Sequence, residues 1–169
     1  MFEGYQRVSR FDGFKRWIPS LILIPVCFFF LSYYPEYTYV DYFHYVVHVA
    51  GETIFGLLGD TAALFGGTVT QLMIPVLLII FFYVNYLRKW LQFALFLMGH
   101  TFLNIGAYAS DAAAMKIELF GPPEVNHDWN KLLTQYDMMS YMGDISMFFF
   151  VMAVIAFLAA ILTPRLVAH

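Results

Sequence analysis

His44, His48 and Glu52 stand four residues apart in the otherwise apolar stretch HYVVHVAGE, residues 44–52. On a helix that interval puts the three side chains on one face, over a little more than two turns. Imidazole nitrogens and carboxylate oxygens are donor atoms that zinc accepts, so the stripe could hold a metal. It could equally be a hydrogen-bonded seam between packed helices. His100, Asn104, Tyr108 and Asp111 follow the same rule further along, at i, i+4, i+8 and i+11. Charged groups at membrane depth cost about 2.5–3.5 kcal/mol on insertion scales and turn toward a partner, a cavity or a ligand. The two stripes are therefore expected to face each other, as packing glue or as a shared site to which Asp111 brings a carboxylate. The tetrapeptide HDWN, residues 127–130, adds His127 and Asp128 beside a tryptophan suited to a membrane interface, within reach of that site.

The elements that must position these groups are apolar helices. With 61% hydrophobic, 20% aromatic and 12% charged residues among 169, the chain reads as an all-α integral membrane protein of one domain. Spans are expected at about 17–34, 69–87, 90–113 and 139–162, with a shorter segment at 41–58, giving a bundle of four to five transmembrane helices. The segment at 41–58 either spans or is re-entrant. The glycine pair in GDTAALFGGTVTQ points to non-helical backbone or a tight turn at residues 66–67. Residues 116–138 form the one substantial polar loop, broken by Pro122-Pro123, with a short amphipathic helix from about Asn130. The basic N-terminal segment and the apolar run after it read as a retained first helix and not as a cleaved leader. If segment 41–58 is re-entrant, Arg7, Arg10, Lys15, Arg16, Arg88, Lys89 and Arg165 share one side against Lys116 and Lys131, which makes the N-terminus cytoplasmic. A spanning segment moves Arg88, Lys89 and Arg165 across and brings Lys116 and Lys131 to the N-terminal side. The single cysteine, Cys27, rules out an internal disulfide, and a net charge of −3 offers nothing to nucleic acid.

The run His48-Val-Ala-Gly-Glu52 resembles the zinc helix of membrane metalloproteases of the site-2 type. In that family His-Glu-x-x-His supplies two ligands and a general base, and an aspartate on a later helix supplies a third ligand. NIGAYASD, residues 104–111, is similar to that later motif, with Ala107 where a proline is usual and Ala112 where a glycine is. The order of GGTVTQ, SDAAA and HDWNKLL along the chain also resembles a group of small bacterial membrane proteins. The resemblance covers roughly residues 44–135 and implies the inner membrane of a bacterium, with His48, Glu52 and Asp111 as ligands of a divalent metal such as zinc. His44, His100, Asn104, His127 and Asp128 would lie around them. This sequence departs from the family at the general base, which is Val49, and at the second zinc histidine, which is Glu52. Valine cannot take a proton from a metal-bound water.

The departure points to a non-catalytic, metalloprotease-like accessory subunit of a larger complex, partnered by lipid and by other membrane proteins. Histidines on facing helices also suit axial ligation of a haem or a chlorin in an electron-transfer or light-harvesting complex. A third alternative is an active intramembrane zinc hydrolase with displaced ligands. A proton or ion path along the stripes, joined by Asp144, is a fourth.

Overall fold

The computed structural model describes residues 10–117 and 127–167. Among them all regular structure is helical. The order is α1 (Arg10–Lys15), α2 (Ile18–Tyr33), α3 (Asp41–Gly56), α4 (Asp60–Val84), α5 (Arg88–Ser110), α6 (Asp128–Gln135), a 3-10 turn (Met139–Tyr141) and α7 (Met142–Leu166). The loop helix begins two residues before its expected start. Pro122-Pro123 and Arg7 lie outside the described residues.

Three segments are long and apolar enough to cross a membrane: Gly13–Tyr33, Asp60–Val84 and Met139–Leu166. This is fewer than the four to five expected, and the reason is physical. The expected span at 90–113 is α5, the interior helix, where every residue from Met98 to Ala109 except Phe102 is buried. A helix walled by protein can carry Gln92, Thr101, His100 and Asn104, and so falls short of a lipid-facing composition. The expected segment at 41–58 is α3, whose 16 residues rise only about 24 Å and carry Asp41, His44, His48 and Glu52.

Helices joined by a short connection run antiparallel, α3 with α4 and α4 with α5, and α7 runs antiparallel to both α2 and α5. Ser20 on α2 donates to the Ile161 carbonyl on α7 at 2.8 Å, and the Tyr34 hydroxyl pairs with Ser146 at the other end of the same two helices. Gln92 on α5 reaches the Ala160 carbonyl at 3.1 Å, while Gly99 and Gly106 receive Phe157 and Phe149 of α7. Between α4 and α5, Gln71 meets Asn104 and Phe82 stacks on Trp90. The apolar centre of the bundle is Cys27, Leu103, Ala153 and Phe157, with Phe30 and Phe96 packed against it.

These pairings give the bundle two ends. One collects the start of α2, the finish of α4, the start of α5 and the finish of α7, and with them Lys15, Arg16, Arg88, Lys89 and Arg165. The other holds Lys116 and Lys131. Helix α3 pairs antiparallel with the first half of α4, His44 opposite Gln71 and His48 opposite Gly67. Its first residue, Asp41, lies level with Asn104 inside the bundle. Helix α3 thus runs from the depth of Asn104 out to the end that holds Lys116, and the α2–α3 connection makes the inward step.

Residues 66–67 are a correction. The backbone there is α-helical, since α4 begins at Asp60 and runs unbroken through both glycines. A Cβ on Gly67 would strike the His48 imidazole, and one on Gly66 would strike Phe55 and the Gly51 carbonyl. The glycines serve close helix approach, as small residues do in membrane bundles, and not a turn.

Candidate functional site

The polar stripes of α3 and α5 do meet, and a residue from a third helix stands between them. Gln71 of α4 is 3% exposed. Its Nε2 donates to the His44 carbonyl at 3.1 Å and to Asn104 Oδ1 at 2.8 Å. Asn104 Nδ2 in turn donates to Asp41 Oδ1 at 2.8 Å. Asp41 Oδ2 accepts from the Thr38 backbone N–H at 2.7 Å and its hydroxyl at 2.8 Å, which ties the α2–α3 connection to the start of α3.

This chain of bonds fixes the tautomer of His48. A carbonyl can only accept, so the Gln71 amide must turn its NH2 to His44 and its oxygen to His48 Nδ1, 3.1 Å away. Nδ1 therefore carries a hydrogen and donates. The other nitrogen, Nε2, lies 3.0 Å from Asp128 Oδ2. Two lone pairs would repel at that distance, so His48 and Asp128 share a proton, as imidazolium–carboxylate or as imidazole–carboxylic acid. Both side chains are almost wholly enclosed. A pair like this specifies one arrangement of the elements it joins, here α3 to α6.

A second histidine–carboxylate pair lies beside the first. His127 Nδ1 accepts from the Asn130 N–H at 3.2 Å and so caps α6 with its side chain. That leaves the hydrogen on Nε2, 3.5 Å from Asp111 Oδ2, an electrostatic contact too long for a well-formed hydrogen bond. Asp111 itself accepts from the backbone N–H groups of Lys116 at 2.9 Å and Ile117 at 2.8 Å. Burial lowers the His127 pKa below its ordinary value against the pull of Asp111. Protonating Nδ1 would also break the cap. Tyr108 sits between the pairs: its hydroxyl accepts from the Asp128 N–H at 3.2 Å, and its ring lies 4.3 Å from that of His127 and 5.4 Å from that of His48.

The residues matched to the zinc motif do not converge. His48 is committed to Gln71 and Asp128, and Asp111 to the backbone of residues 116–117 and to His127. Glu52, half-buried, interacts electrostatically with Asp128, His48 and Lys131. Among the described residues no three His, Cys, Asp or Glu side chains are arranged to hold a metal ion. As placed, the donor set does not fit a divalent metal. His44 Nε2 and His100 Nδ1 lie 2.9 Å apart, bonded to each other with their rings stacked. Two imidazole nitrogens on one tetrahedral metal, with bonds of about 2 Å, would stand about 3.3 Å apart. Val49 is 37% exposed and lies off the buried face that carries His44 and His48.

Asp41 and Gln71 were not among the site residues expected from the sequence, and both had a signal. Asp41, His44 and His48 fall at i, i+3 and i+7, one helical face, and Gly67, Gln71 and Pro75 at i, i+4 and i+8 do the same on α4, all three buried. Comparison with protein families, with curated proteins and with solved structures finds nothing that matches this chain.

Proposed function

We propose that this chain is a non-catalytic, metalloprotease-like accessory subunit of a larger membrane assembly, in which the zinc-helix residues have become a buried polar clasp. The observation that carries the reading is that both ring nitrogens of His48 are consumed within the protein, by Gln71 and by Asp128. A histidine so engaged offers no free lone pair to a metal, and Val49 beside it offers no base. The clasp joins α3, α4, α5 and α6, which gives the constellation a structural reason to persist without turnover. Helix α3, too short to cross, exposes Tyr42, Phe43, Val46 and Ile54 on its outer face, apolar surface that lipid or a neighbouring subunit must cover. The basic end of the bundle is the cytoplasmic one by the positive-inside rule.

Isolation of the full chain from its native membrane in mild detergent tests this. The expected result is a particle larger than the monomer, no cleavage of a transmembrane peptide, and a melting temperature unchanged by chelator. A monomer that cleaves such a peptide, and loses that activity with stoichiometric metal in His48→Ala, would overturn it.

A further inference from the structure

A cavity of about 870 Å³ opens at the end of the bundle opposite the basic cluster, where α2 and α5 finish. Its size is that of a small-molecule site. Phe29, Tyr33, Tyr37 and Tyr42 line it together with Glu36 and Lys116.

The walls are held before any ligand arrives. Glu36 N–H bonds the Tyr33 carbonyl at 2.9 Å, and the two Thr38 bonds to Asp41 fix the next turn of the connection. Elsewhere in the lining, the Lys116 backbone N–H donates to Asp111 at 2.9 Å. Tyr37 bonds Asn104 and has the Asp41 and Asp111 carboxylates near it. Burial first, then Asp41, pushes its hydroxyl well above the ordinary tyrosine range, so it presents a neutral phenol over an electronegative floor.

Electron-rich ring faces beside a carboxylate are the chemistry that receives an organic ammonium ion. Lys116, in the same lining as the Asp111 carboxylate, adds one point charge for an anion. The cavity also lies where the first apolar segment, Gly13–Tyr33, ends, the depth at which tyrosines meet lipid headgroups. We propose that this cavity binds the headgroup of a zwitterionic phospholipid, its ammonium among the tyrosine rings and Glu36 and its phosphate against Lys116. The cavity borders the clasp at Asp41, Asn104 and Asp111, but the inference does not depend on whether the chain is catalytic.

Calorimetric titration of the detergent-solubilised full chain with phosphocholine, choline and inorganic phosphate tests it. Phosphocholine is expected to saturate one site, and choline and phosphate each to bind at least tenfold more weakly. Lys116→Ala should weaken phosphocholine about tenfold and leave choline unchanged. Tyr42→Ala should weaken both, and Tyr83→Ala, an exposed tyrosine at the other end of the bundle, neither. Native mass spectrometry from mixed nanodiscs should show a zwitterionic lipid retained over phosphatidylglycerol. No saturable phosphocholine binding, phosphate binding as tightly as phosphocholine, or the same loss in Tyr83→Ala overturns the site. Phosphocholine binding without lipid preference overturns the lipid source and assigns a soluble ester in its place.

Discussion

Gln71 sets the direction of the whole buried network, because its NH2 is spent on acceptors that cannot turn round. His48 is then held with one nitrogen donating and the other sharing a proton with Asp128. Removing one partner of such a buried pair strands the other, a loss of about 3–5 kcal/mol. His48→Ala should therefore lower stability by roughly that amount, and His48→Ala with Asp128→Ala should cost less than the sum of the two single changes. Reversible unfolding of the four proteins in detergent measures the coupling, and strict additivity would show that the pair is not formed. His127 gives a pH prediction. Its pKa is lowered by burial in the folded protein, so the unfolded chain binds the extra proton more readily. Stability from this group is present above the unfolded pKa of about 6.5 and is lost as pH falls through it. Melting temperature followed from pH 8 to 5 should drop below that point, and the drop should be smaller in His127→Gln. An unchanged profile in the variant would assign the acid sensitivity elsewhere.

Close approach, and not conformational freedom, explains the glycines of α4. Gly67→Ala would ordinarily favour a helix by up to about 1 kcal/mol. Here the new methyl meets the His48 ring, and overpacking of this kind costs about 1–3 kcal/mol. The variant should be less stable than the parent, and the same change should be tolerated in a His48→Ala background, as unfolding measurements would register. This position also marks where sequence reading succeeds and fails. The periodicity of His44, His48, His100 and Asn104 carried the facing of α3 and α5, because a 3.6-residue helix leaves little choice of face. The glycine pair was read as a break because glycine permits two opposite things, a turn and a close contact, and only the partner helix decides between them. Asp128 was expected near the His48 site, but not as the direct partner of its Nε2, because the contact between residues 48 and 128 is made by tertiary packing that no local pattern encodes. Helix α5, expected as a span, runs the length of the bundle but is enclosed by its neighbours, so its composition carries polar residues that a lipid-facing helix would not.

The path of α3 decides which connections share an end of the bundle. Pairing of α4 with α5 places Asp60 level with the finish of α5, and α3 runs back along that upper half of α4 from the depth of Asn104. The α3–α4 turn at Leu58 and the α2–α3 connection at Tyr39 therefore lie toward one end, while the α4–α5 turn at Tyr86 lies at the other. Leu58 is 77% exposed, Tyr39 94% and Tyr86 70%, so each is open to a probe. The lone cysteine, Cys27, is 3% exposed in the bundle core and can be replaced by serine to clear the background. Single cysteines at the three positions, labelled in sealed vesicles with an impermeant maleimide, separate the two topologies. Leu58→Cys and Tyr39→Cys should react from the same side and Tyr86→Cys from the opposite one. Were α3 a full span, Leu58→Cys would react from the side opposite Tyr39→Cys. Arg88, Lys89 and Arg165 would then lie opposite the basic N-terminal segment, with Lys116 and Lys131 on that segment's side, and the positive-inside argument for the orientation would weaken.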